Sequence, residues 1–289
     1  MTISPLTRSH HADAASCDPR GPGLHARSVS HSYGSQLVLA DVDLDLDGGL
    51  VSLIGPNGAG KSTLLAVLSR LIRPAAGEVW VDGLDVHRTD SRRIARSLAV
   101  LRQSSPVEGG LTVRELVSFG RFPHHRGHPG TVDRELVEAA LDRVGVADLA
   151  GRRMTELSGG QRQLVRIAMV LAQDTRFVLL DEPLNNLDLT HMVQVMAVAR
   201  DLADEGRTVV CVIHDVNIAA AWSDHMVGMR DGRVRWQGTP RQVMDPDHLA
   251  MLYDMRIPVD EVAGLPVAAY YAARVGEVLV GEGRPERTA

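Results

Sequence analysis

Nine consecutive residues constrain this chain more than anything else in it: Gly55, Pro56, Asn57, Gly58, Ala59, Gly60, Lys61, Ser62 and Thr63. They satisfy the pattern Gly-x-x-x-x-Gly-Lys-Ser/Thr at every position. The five residues before them, Leu50, Val51, Ser52, Leu53 and Ile54, read as a short buried strand, and residues 63–68 read as a helix without a breaker. Strand, glycine loop and helix in that order are the context that makes this pattern a phosphate site. Glycines let the backbone turn tightly and bring successive N–H groups toward phosphate oxygens. A helix starting near Gly60 adds its unpaired N–H groups and the positive end of its dipole. Lys61 supplies a mobile positive charge, and Ser62 offers a hydroxyl to Mg²⁺. The bland alternative, a glycine-rich turn before an ordinary helix, does not call for all of these residues at once.

A phosphate loop of this kind sits in an α/β core, and 289 residues are enough for one large domain or two small ones. Hydrophobic residues make up 44% and charged residues 23%, the balance of a soluble globular chain. The formal net charge of −5 gives no sign of a nucleic-acid-binding surface. The two cysteines, Cys17 and Cys211, fall in a polar tail and an apolar strand, so they imply no disulfide framework, and a reducing cytoplasm fits. No apolar run approaches the roughly 20 residues that span a bilayer. Residues 1–23 are polar, lack the apolar core of a signal peptide and are expected to be a disordered tail.

Along the chain, residues 24–32 and 37–46 read as strands. The second alternates apolar and acidic residues with the period of a half-buried strand. Tyr33-Gly34 and Asp47-Gly48-Gly49 read as turns. Arg73-Pro74 is expected to close the helix after the phosphate loop, and strands are expected at 78–82 and 98–102 with a short helix at 90–96. From residue 104 to 155 no convincing strand appears. Thr112 and Glu115 form a capping-box signal, and residues 131–144 carry a helical apolar stripe, so this stretch reads as an all-helical insertion. Arg114, Arg121 and Arg126 are expected on its surface. The α/β pattern then resumes: a strand at 177–180, a helix capped by Thr190, a β-branched strand at 208–213 and a helix at 215–222. A hairpin through Asp231-Gly232 and a short helix from Asp245-Pro246 to Tyr253 follow. Beyond Met255 the sequence is poorly patterned, and residues 281–289 are expected to fray.

Two further stretches carry chemistry. Phe177, Val178, Leu179 and Leu180 run straight into Asp181 and Glu182. A buried strand ending this way puts two carboxylates at the carboxyl edge of the sheet, where α/β folds bind ligands. Asp181 suits an Mg²⁺ held through water, and Glu182 can reach the water that attacks a γ-phosphate. Leu157, Ser158, Gly159, Gly160 and Gln161 precede an apolar helix. Ser158 is a natural N-cap, and the glycines allow close approach to an anion. Taken alone this stretch reads equally as an ordinary capped helix.

Residues 55–63, 157–163 and 178–183, in that order, resemble the nucleotide-binding subunit of ABC transporters, and the resemblance runs from about residue 24 to 253. It implies a P-loop NTPase core of the ABC ATPase type, with an antiparallel β subdomain and an inserted all-helical subdomain. The expected domain is 24–255, with the insertion at about 104–155 and a C-terminal extension at 256–289. The resemblance assigns Tyr33 to stacking on adenine. It gives Gln103 to sensing Mg²⁺ and the γ-phosphate, His214 to contacting the γ-phosphate, and Asp188 to communication across a dimer. Many relatives carry Ser-Ala or Thr-Ala where this chain has Asn185-Asn186, a departure at that cross-dimer loop. In the family two copies pack head to tail, so ATP on one phosphate loop is closed over by Ser158, Gly159, Gly160 and Gln161 of the other copy.

A narrower resemblance lies in residues 111–123 and in Asp181 to Asp188, which are similar to iron–siderophore importers, with heme and cobalamin importers close by. The expected function is therefore the ATP-hydrolysing motor of an importer. It would use ATP and Mg²⁺ and sit on the cytoplasmic face of the membrane against an integral permease and, indirectly, a substrate-binding protein. The insertion is expected to hold the permease contact. The competing readings are a soluble ABC ATPase of translation or DNA repair, an exporter or non-iron importer ATPase, and a protein that uses ATP only as a ligand. Lys61, Asp181, Glu182 and His214 argue against the last. His124, His125 and His128 read as a solvated loop rather than an iron site, since no Asp, Glu or Cys with ligand spacing joins them.

Overall fold

The computed structural model describes residues 21–102, 110–125 and 127–271. The expected tail up to residue 20, Gln103, Arg126 and the expected fraying end lie outside these residues. The alternating strand signals produce β1 (Leu24–Tyr33) and β2 (Gln36–Leu46), paired antiparallel, followed by β3 (Gly49–Ile54). In β2 the period of two is realised: Val42, Leu44 and Leu46 are buried while Asp41, Asp43 and Asp45 face out. Tyr33 closes β1 rather than forming the turn. After helix α1 (Lys61–Leu68), β4 (Ala76–Val81) and β5 (Leu84–Asp85) complete a four-stranded antiparallel sheet of order β2-β1-β4-β5.

Next come α2 (Ser91–Ile94), β6 (Leu98–Leu101), α3 (Val113–Ser118), α4 (Thr131–Arg143), α5 (Gly159–Ala172), β7 (Phe177–Leu180), α6 (Leu189–Asp204), β8 (Thr208–Val212), α7 (Val216–Trp222), β9 (His225–Arg230) and β10 (Arg233–Gly238). The second sheet has the order β10-β9-β3-β8-β7-β6. Its strands are parallel except for β10, which turns back antiparallel on the edge.

The pleat of this sheet divides two cores. Val51, Leu53, Leu179, Val210 and Val212 face one way and pack with α1 and the antiparallel sheet. Leu50, Ile54, Val178, Leu180, Val209 and Cys211 face the other way, toward α3 to α7. Helix α1 is thus held between two sheets. Its Leu64, Leu65, Val67 and Leu68 are at most 1% exposed, each worth roughly 1.5–3 kcal/mol of burial. Helices α3 and α4 pack on α5, and the described part of the insertion is helical apart from a single bridge between Thr112 and Arg153.

Further local expectations are corrected, among them Arg121, expected at the surface but 5% exposed with its guanidinium on Asp133. Helix α1 stops at Leu68 rather than at Arg73-Pro74. Arg70 turns left-handed at φ 68°, and its guanidinium is drawn to the carbonyls of Val86 and Thr89. Asp188, not Thr190, caps α6, because its carboxylate accepts from the His191 N–H at 2.9 Å. Past Met255 the chain is not patternless: α8 (Pro240–Val243) and α9 (Pro246–Tyr253) lead into an antiparallel hairpin, β11 (Val259–Val262) with β12 (Leu265–Ala268). Asn217 of α7 holds that hairpin, donating to Ala268 O at 3.0 Å and accepting from Ala268 N at 2.7 Å.

Candidate active site

Parallel pairing in register brings the ends of β3, β6, β7 and β8 to one edge. The Asp181 N–H donates to Leu101 O at 3.1 Å, and the Ile213 N–H to Leu53 O at 3.1 Å. The residues that follow these strands therefore emerge side by side: Gly55 after β3, Asp181 and Glu182 after β7, His214 after β8.

The loop from Gly55 to Gly60 is fixed from below. A Cβ on Gly55 would lie 2.0 Å from Met229 O, and the residue sits at φ 137°, so only glycine fits here. Gly232, in the β9–β10 turn, donates its N–H to Ala59 O at 3.1 Å and accepts from the Ala40 N–H at 2.9 Å. That turn is legible in the sequence as a hairpin, but nothing local says that it buttresses the phosphate loop. Gly60 is the N-cap of α1 and no side chain caps the helix, so its first N–H groups are directed at the loop.

Lys61 is only 5% exposed and its ammonium donates to Gly55 O at 2.7 Å and Pro56 O at 2.9 Å. Burial holds it below the ordinary lysine range, although Glu182 and Asp181 favour its charge. The Ser62 hydroxyl donates to Asp181 Oδ1 at 2.9 Å. Burial pushes the Asp181 carboxyl above the ordinary range; nearby Glu182 adds to this, and the Ser62 hydrogen bond opposes it. A hydroxyl and a carboxylate oxygen this close are hard oxygen donors of the kind Mg²⁺ takes while keeping several waters. Glu182 lies one residue on with its backbone left-handed at φ 50°. His214 Nε2 is 2.9 Å from Glu182 Oε1, and the Asn185 amide donates to Glu182 Oε2.

The other expected residues divide. Tyr33 is exposed beside the turn of the β1–β2 hairpin, its ring 4.9 Å from that of His31 in an edge-on contact. Val38 and Leu39, farther along the same ribbon, touch Gly60. Ser158 caps α5 in a reciprocal box with Gln161: the Gln161 N–H donates to Ser158 Oγ at 3.2 Å, and the Ser158 N–H to Gln161 Oε1 at 3.0 Å. Gly160 there faces His191, and Gln163 donates to Pro183 O at 3.1 Å. The start of α5 thus packs beside α6 and the loop after β7, while Asp188 caps α6. His124 donates to Gln173 O at 2.8 Å and His125 accepts from the Gly127 N–H at 3.1 Å. The asparagine at 185, noted in the sequence only as a departure, and Gly232 are the two contributors whose roles the sequence does not disclose.

Chemically, the edge offers backbone N–H groups and an ammonium for a polyphosphate, a hydroxyl–carboxylate pair for a hard cation, and a carboxylate gripped by an imidazole and an amide. Comparison with known proteins agrees with this. Residues 39–185 match the family model described as ABC transporter. The iron(3+)-hydroxamate import ATP-binding protein of Bacillus subtilis is 41% identical over 254 residues, covering 86% of this chain and 94% of that protein. A solved structure of an inward-facing metal-chelate type ABC transporter superposes with a TM-score of 0.72 at 28% identity, covering 86% of this chain and 98% of that one. A bacterial ABC transporter cassette solved as a dimer gives a TM-score of 0.69 at 29% identity, covering 75% and 99%.

Proposed function

The chain belongs to the ABC transporter family, whose ATP-binding subunits hydrolyse ATP, and on that premise we propose that it drives an importer of iron–siderophore complexes. The observation that carries the cargo is the 41% identity, over nearly the whole of both chains, with an iron(3+)-hydroxamate import subunit. Among the described residues no helix is long and apolar enough to cross a membrane. On the likeness to import ATP-binding subunits, we infer that the subunit works against an integral permease from its cytoplasmic face, served by a separate substrate-binding protein. The catalytic domain is taken as residues 24–255 with the helical insertion at about 104–155, and residues 256–289 extend it.

In this reading Gly55 to Thr63 cradle the phosphates of ATP, Tyr33 stacks on the base, and Lys61 leaves its loop carbonyls for the phosphate oxygens. Ser62 and Asp181 would hold Mg²⁺, with Gln103 as a further contributor; the ion supplies charge neutralisation at the β- and γ-phosphates. Glu182 takes a proton from the attacking water. The water oxygen bonds to the γ-phosphorus, and the bond to the bridging oxygen breaks, leaving ADP and phosphate. His214 leaves Glu182 to donate to the γ-phosphate as that charge develops. Residues Ser158, Gly159, Gly160 and Gln161 of a second copy close over the ATP, and Asp188 faces the same junction. ATP favours the closed pair; hydrolysis and product release reopen it.

A strain lacking this subunit, grown with a ferric hydroxamate as its iron source and free iron chelated, tests the cargo. Growth should fail and recover when inorganic iron is in excess. Growth on the ferric hydroxamate at the parental rate, in a strain with no second importer, overturns a hydroxamate cargo and leaves the ATPase untouched.

A further inference from the structure

In the loop after β7, Asn185 touches the carboxylate that the hydrolytic reading needs. Glu182 and Asn185 bracket a turn: the Asn185 N–H donates to Glu182 O at 3.3 Å, and the Asn185 side-chain amide donates to Glu182 Oε2. The other carboxylate oxygen, Oε1, faces His214 Nε2 at 2.9 Å. The carboxylate is therefore contacted from the strand β8 side and from its own loop. The second contact belongs to the segment that carries Glu182.

Two features make the loop-borne contact an orienting one. Glu182 has its backbone in the left-handed region at φ 50°, which a residue with a Cβ adopts at a cost and only when its surroundings hold it there. Asn186 is left-handed too, at φ 61°, a conformation asparagine tolerates well. Asn185 thus sits between two left-handed residues, with its side chain folded back three positions. The Glu182 side chain is largely buried at 12% exposure, whereas His214 is exposed at 42% and free to swing to a phosphate. When it swings, the Asn185 contact travels with Glu182.

We propose that Asn185 is a positioning residue for hydrolysis: its amide holds Oε2 so that Oε1 stays aimed at the attacking water after His214 has turned to the γ-phosphate. The proposal rests on Glu182 being the base. Serine or threonine at this position is shorter, so the amide contact is a property of this chain's asparagine rather than of the loop shape.

The test is a double-mutant cycle on the purified full-length protein with Mg·ATP. Asn185→Ala should lower kcat roughly tenfold, the scale of a lost hydrogen bond to a charged group, while KM for ATP stays within about twofold. Because Asn185 is exposed, the melting temperature should not move. Asn185→Asp, which places a second carboxylate against Oε2, should be slower still. In a Glu182→Gln background, where no base is left to orient, Asn185→Ala should leave the residual rate unchanged. An unchanged kcat in Asn185→Ala overturns the proposal. So does an equal fractional loss in both backgrounds, which would make the effect one of loop shape. If Glu182→Gln alone turns over at the wild-type rate, the base assignment falls and this inference with it, a result distinguishable from the other two.

Discussion

At the scale of single residues, the site stores unfavourable electrostatics that a ligand would relieve. Lys61 is buried and Asp181 is partly buried, and desolvation moves each toward its neutral form. For Asp181 the sign is definite. Its folded pKa lies above the unfolded value near 4, so the stability it lends is full below that value and is lost as pH rises through the raised folded value. Asp181→Asn removes the partly buried charge and keeps an oxygen for the Ser62 hydroxyl. The nucleotide-free variant should melt higher than the wild type at pH 7. The gap should close as pH falls toward 4, while turnover with Mg·ATP is lost. Thermal melts across that pH range check it, and a variant that melts lower at pH 7 overturns the assignment of strain. Lys61, Ser62, Asp181 and Glu182 were all legible because their order on strand and loop announces them. Asn185 was not, since the hydrogen bond it makes depends on two left-handed turns that its neighbours' identities do not signal.

At the scale of elements, the capping-box signal of Thr112 with Glu115 lies within one turn of helix and is realised, whereas at α6 the sequence points to Thr190 and Asp188 is the cap. Thr112 with Glu115 and Ser158 with Gln161 each form the reciprocal cap that an i, i+3 pair predicts. Signals failed where the partner is far away in sequence. Leu71 and Ile72 extend the apolar stripe of α1, yet distant carbonyls at Val86 and Thr89 take Arg70 out of the helix. The β11–β12 hairpin depends on Asn217, some fifty residues upstream. Arg121 is the clearest case. Its charge and its place in a polar stretch predict an exposed side chain, but it is 5% exposed. Its guanidinium pairs with Asp133 at 3.0 Å and donates to Ala172 O at 2.9 Å, satisfying the last turn of α5. Gly120 beside it lets the chain press onto α5, where a Cβ would lie 2.1 Å from Met169 O. Arg114, by contrast, makes an exposed pair with Glu138. Arg121→Glu should therefore destabilise the subunit by ~3–5 kcal/mol, as the loss of one member of a buried pair does. Arg114→Glu should cost about 0–1 kcal/mol and act on transport coupling instead. Urea unfolding of the two variants separates them; equal, small losses would mean that Arg121 bears no structural load.

At the scale of the whole molecule, one chain carries half of what its two helix N-termini can do. The start of α1 opens onto the phosphate loop, while the start of α5 packs beside α6 and its residues Ser158 and Gly159 lie at the surface. A head-to-tail pair would set the α5 start of one copy over the phosphate loop of the other, and each ATP would then be held by groups from both. Glu182→Gln tests that arrangement. Glutamine keeps the reach of glutamate and can still meet Asn185 and His214, but it has lost most of the basicity. Lys61, Ser62, Asp181 and the loop amides remain, so ATP should bind with little change in affinity. Hydrolysis should fall by roughly 10²–10⁴, the contribution of a general base. Nucleotide that closes the pair and is not cleared should trap it closed. Light scattering of the purified variant should therefore show a dimer with Mg·ATP and a monomer with Mg·ADP, whereas the wild type should return to monomer as ATP is consumed. Adding Ser158→Arg to Glu182→Gln should abolish the dimer, because the bulk and charge fall on the surface that covers the partner's nucleotide. A Glu182→Gln protein that stays monomeric with bound Mg·ATP, or a dimer indifferent to Ser158→Arg, would remove the α5 start from the nucleotide junction.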